Sequence, residues 1–173
     1  MGIMSAAQPL PTPDHVARIQ QEWARERPDV DVRPQGVIGR VHRLGMHLTD
    51  SILEVYAKHD LGEGEFDVLA ALRRAGAPYE RVPGELAAHT MVTTGAITKR
   101  VDRLERAGLV ARRVSEHDSR SRVVALTEAG REVIDRAFTE HMENERRLLD
   151  GLTDEQLAQL ESLLTTWLAH FEA

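Results

Sequence analysis

With 173 residues, 42% of them hydrophobic and 29% charged, the chain is long enough to bury one sizeable core and has an ordinary globular composition. It has no cysteine, which excludes disulfides, thiolate metal sites and sensing by cysteine oxidation. The formal charge is −6, yet residues 93–122 carry eight basic and four acidic side chains, so a net positive patch stands on an acidic chain. No apolar run approaches the length of a membrane span, and the opening MGIMSAAQPLPTP lacks the basic and apolar regions of a secretory signal. A cytoplasmic location without membrane contact is expected.

Residues 1–13 are small, polar and proline-rich and read as a loose tail. Asp14 is placed to cap a helix over 14–27 that carries Val16, Ile19 and Trp23 on one face and stops at Pro28. After the linker DVDVRP, a long helix is predicted over about 35–60, with Ile38, Val41, Leu44, Leu48, Ile52 and Val55 as its apolar stripe. A helix from Glu63 to about Ala75 carries Phe66, Leu69 and Leu72. Pro83 suits the first position of a short helix, PGELAAH, and TMVTT is the turn after it, with Thr93 as the cap of the next helix.

In that next helix Ile97, Val101 and Leu104 mark one buried stripe, and Gly108 stands where a C-cap belongs. LVARRV and RVVALT flank the polar EHDSRS as a hairpin. A short helix, a turn, a second helix and a basic hairpin are the plan of a winged helix-turn-helix over 61–127, whose second helix enters a major groove while the hairpin reaches for backbone or minor groove. Thr127 caps a long helix with Val133, Ile134, Ala137, Phe138 and Met142 on its apolar face. The capping box Thr153-x-x-Gln156 opens a last helix carrying Leu157, Leu160, Leu164, Trp167, Leu168 and Phe171. The expected fold class is mainly α: a winged helix-turn-helix with an extra N-terminal helix and helices over 35–60 and 128–173 that supply a two-fold dimer interface.

Thr94, Thr98, Lys99 and Arg103 fall on the outer side of the recognition helix and are the candidates for base and phosphate contact. Arg120 and Arg122 flank the wing tip; Arg120 suits the minor groove, and Asp118 suits the orientation of a wing arginine. Arg100 lies about 60° from the buried stripe, so it faces partly inward and needs a partner. Asp67 suits that role, either in a structural salt bridge or through a ligand.

Asp118-Ser119-Arg120, Val123 to Thr127 and Gly130 resemble the wing signature of the MarR family of bacterial transcriptional regulators, and the helix order from about Gln35 onward agrees. Four features are similar to its urate-responsive subgroup: the extra helix with its Trp, GEFDVLAALRRAG, the TKR of the recognition helix and the ARR of the wing. The resemblance carries the subgroup's ligand set onto Trp23, Asp67, Arg100 and Arg112. Trp23 either stacks on a flat heteroaromatic ring or docks the extra helix on the core; Arg112 would bring positive charge to an anionic ring.

The resemblance implies a dimeric repressor that binds a palindromic double-stranded operator and is released by urate or a related anionic purine. No metal or catalytic site is expected: the eight histidines form no HExxH, and no P-loop, G-x-G-x-x-G or G-x-S-x-G occurs. The alternative reading is a winged-helix module that binds protein partners without DNA.

Overall fold

The computed structural model describes residues 12–90, 94–115 and 122–172. Residues 1–11 of the tail, the Thr93 cap, Asp118 and Arg120 lie outside them. The chain falls into two compact units, Met1–Thr49 and Asp50–Ala173.

In the N-terminal unit α1 (His15–Glu26) begins at Asp14, whose carboxylate accepts from the Ala17 amide at 2.8 Å. The same carboxylate pairs with Arg40 of α2 (Arg33–Ala57) at 2.8 Å. Val16, the buried residue of α1, packs on Gly39, and Gln20 donates to the Val32 carbonyl at 2.9 Å. Arg33 and Pro34, read as linker, form the first turn of α2, a position that tolerates proline because its amide has no helical acceptor.

The second unit holds the core. Val55 and Tyr56 at the end of α2 meet Phe66, Val68, Leu69 and Leu72 of α3 (Glu63–Arg74). Around them lie Leu86 of α4 (Pro83–Ala88), Ile97, Val101 and Leu104 of α5 (Thr94–Arg106), and Ile134 and Ala137 of α6 (Glu128–Leu148). The Tyr56 and Phe66 rings stack at 4.0 Å. The hairpin is present as β2 (Val110–Val114) and β3 (Arg122–Leu126). A third strand, β1 (Glu80–Arg81), was not foreseen; it pairs antiparallel with β3 and makes the order β1-β3-β2. β3 is the central strand of that order, and its Val123, Val124 and Ala125 are all buried rather than alternating.

The α5–β2 turn uses Gly108 at φ 72°. A Cβ on Gly130 would overlap the Leu109 carbonyl oxygen, so only glycine lets α6 start this close to the wing. Thr127 caps α6 by accepting from the Gly130 amide at 3.0 Å while donating to the Gly108 carbonyl at 2.7 Å.

The capping box Thr153–Gln156 opens α7 (Asp154–Leu168). Phe171, expected within that helix, lies past its end. The apolar face predicted for α6 divides: Ile134 and Ala137 are buried, whereas Phe138 and Met142 are exposed, and His141 and Asn144 are buried instead. Asn144 Nδ2 donates to Ser51 Oγ at 3.1 Å, tying α6 to α2. The helix-turn-helix and its wing thus stand as the residues implied. Gly130→Ala is expected to destabilise the fold by about 1–3 kcal/mol, because backbone must yield to the new methyl. Urea denaturation of the two proteins measures it.

Candidate nucleic-acid interface and effector site

α5 owes its two-sided character to its stripe. Ile97, Val101 and Leu104 are buried, and the residues between them turn out. Thr98, Lys99 and Arg103 are exposed, as is Arg122 at the base of the wing. Thr94 opens the helix; its side chain, like Arg120, lies outside the described residues. Arg103 reaches back to Glu65 of α3 at 3.6 Å. Glu65 is almost buried, and its other oxygen caps the Gly62 amide at 2.8 Å. The first turn of α3 therefore holds one of the outward arginines of α5.

The same turn holds the inward one. Arg100 is half-buried, and its guanidinium lies directly against Gly64, in the space a Cβ would fill. Its Nη1 is removed from solvent without a hydrogen-bond partner. A cation at the N-terminal end of a helix faces the positive end of the dipole, so this seat is electrostatically costly.

Asp67, three residues on, is half-buried. Burial raises its carboxyl above the ordinary aspartate value and Glu63 adds to the effect, while Arg100, Arg74 and His141 oppose it. Among the described residues no ion pair within 4.0 Å joins Asp67 to Arg100. Burial first, then the Asp67 charge, also pushes the Tyr56 hydroxyl upward. Asp67, Ala70 and Arg74 share one face of α3, and an open cleft lined by Ala70, Arg73, Arg74, Ile134, Asp135 and Phe138 runs along it.

The structure brings Asp67 and Arg100 to the α3–α5 seam and holds Arg112 between the wing and α5. Arg112 leaves β2 toward α5, where Asp102 and Glu105 clamp its guanidinium. Its own amide donates to Glu105 at 3.0 Å. Asp102, and less strongly Glu105, raise its pKa further. This clamp ties wing to recognition helix. Its partners were legible as an i, i+3 pair of acids, but not their target.

Trp23 belongs to the N-terminal unit, where it is half-exposed and lines a shallow cleft with Arg27, Val30, Asp31, Val32, Pro34 and Gln35. Glu80 went unnoticed in the sequence. Its carboxylate meets Arg113 at 3.0 Å and Ser115 at 2.9 Å, fixing β1 to the wing. Among the described residues no group of three or more His, Asp or Glu is placed to hold a metal ion, and no helix is long and apolar enough to cross a membrane.

Known proteins are similar to the chain in sequence and in fold. Residues 59–121 match the model of the MarR family. The transcriptional regulator PecS of Dickeya dadantii is 41% identical over 149 residues, spanning 86% of this chain and 90% of PecS. A MarR mutant from E. coli in complex with operator DNA superposes with a TM-score of 0.65 at 26% identity, covering 84% of this chain and 97% of that one. Sco3205 of Streptomyces coelicolor, also in complex with DNA, shares the fold with a TM-score of 0.73 at 23% identity, over 83% of this chain and 91% of its own. The extent of the PecS identity and the helix–wing geometry lead to one conclusion: the chain belongs to the MarR family of transcriptional regulators.

Proposed function

We propose that the chain is a dimeric repressor that holds a palindromic operator and releases it on binding urate or a related anionic purine. The observation that carries this reading is Arg100. It stands on the recognition helix, yet it is turned inward onto α3, with a buried unpartnered donor beside a half-buried carboxylate. A planar anion at this seam would satisfy the guanidinium and repel Asp67. Movement of α3 or Arg100 then passes to α5, since Arg100 and Arg103 both rest on the first turn of α3. A ligand releases DNA only if it binds the releasing form better. Trp23 would stack on the ring, and Arg112 would bring positive charge to the anion only on leaving its clamp of Asp102 and Glu105.

The dimer reading is supported by apolar surface. α7 buries none of its residues, and Leu160, Leu163, Leu164 and Leu168 are exposed on it. In the N-terminal unit Val37, Ile38, Val41, Leu44 and Leu48 of α2 are likewise exposed. A two-fold copy covering such faces would present two recognition helices about 34–36 Å apart, or a multiple of that, as a palindrome requires.

The primary test is a gel shift on the gene's own upstream DNA, with and without urate. Retarded DNA that urate frees supports the proposal; failure to bind even at low salt favours a protein-binding module. Lys99→Ala is expected to weaken operator binding and to lower the salt slope by about one phosphate contact. Leu163→Asp with Leu164→Asp is expected to shift the sedimentation of the protein from dimer to monomer.

Asp67→Asn has two expected effects. It abolishes release by urate in the gel shift. It also raises the melting temperature at pH 7. Because the Asp67 pKa is higher folded than unfolded, its contribution to stability is complete below 3.8 and lost as pH rises through the folded value. The gain from Asn therefore narrows as the pH is lowered toward 3.8, and calorimetric scans across that range follow it.

A further inference from the structure

Gly64 lies in the ordinary helical backbone of α3, where no positive φ calls for glycine. A glycine inside a helix weakens it relative to alanine. The reason for glycine here must be space. A Cβ at this position would overlap Cζ, Nε and Nη1 of Arg100 at once, and these are the nearest atoms it would meet. The guanidinium therefore lies against bare backbone, at the first turn of a helix whose positive dipole end disfavours a cation. An ordinary structural salt bridge does not describe the seat, since none of the ion pairs among the described residues includes Arg100, and Nη1 is buried without a hydrogen bond.

We infer that Gly64 is a positioning residue for the effector response: by lacking a side chain it seats the Arg100 guanidinium against α3, beside Asp67, where an anionic effector can meet it. The inference rests on the effector reading above. The three atoms nearest a Cβ at 64 all belong to Arg100, not to the outward side chains Thr98, Lys99 and Arg103. A methyl at 64 displaces the far end of one flexible side chain, not backbone, so the core stays as it is. Arg100 then leaves the seam and its charge no longer marks the effector site.

The test compares wild type, Gly64→Ala, Arg100→Ala and the double variant in operator gel shifts titrated with urate, alongside thermal melting. Gly64→Ala is expected to bind operator within about threefold of wild type, to melt no lower, and to need at least about tenfold more urate for half-release. The double variant is expected to match Arg100→Ala, because the glycine acts only through that arginine. If wild type is released by urate and Gly64→Ala is released at the same concentration, the inference about Gly64 falls while the effector reading stands. If wild type itself is not released, the effector reading falls and takes the inference with it. If Gly64→Ala fails to fold, the double variant, which lacks the guanidinium, must regain the melting of Arg100→Ala; failure to do so overturns the inference.

Discussion

The seating of two arginines of α5 on the first turn of α3 is the contact on which the proposed effector response depends. Arg103 reaches the almost buried Glu65 and Arg100 covers Gly64. Beneath them Ile97, Val101 and Leu104 pack into the common core with Leu69 and Leu72. The recognition helix is thus not held by apolar packing alone. Beside that packing, two of its charged side chains rest on one turn of a neighbouring helix, and such contacts respond to charge. A packed apolar interface would resist a small anion; a buried, unsatisfied guanidinium beside a carboxylate invites one.

The wing is fixed to the same helix from the other side. Arg112 is clamped by Asp102 and Glu105, and Glu80 of β1 binds Arg113 and Ser115. Gly130 lets α6 start against Leu109, and Thr127 joins the start of that helix to the α5–β2 turn. Helix and wing are therefore tied to each other by charged pairs. On the proposed reading, a shift begun at the α3–α5 seam would reach both DNA-facing parts together.

Much of this was legible in the residues. Asp14, Thr127 and Thr153 cap the helices they were expected to cap, because capping is local chemistry. The inward turn of Arg100 followed from its angle to the buried stripe. What was not legible depends on distant partners. The two residues of β1 are too few to show a period, and they pair only because β3 offers an edge. No spacing revealed that Asp102 and Glu105 would take Arg112, or that Gly64 would accept a guanidinium from a helix thirty residues on. The stripes of α2 and α7 were apparent as apolar faces, but periodicity says that a face is apolar and not what covers it.

The central claim is that effector and operator act on one coupled element, and coupling is reciprocal. The most direct measurement is urate affinity by calorimetry on the free protein and on the protein saturated with its operator. The account predicts weaker binding to the DNA-bound form, by the same factor by which urate weakens operator binding. Equal affinity in the two states would contradict it.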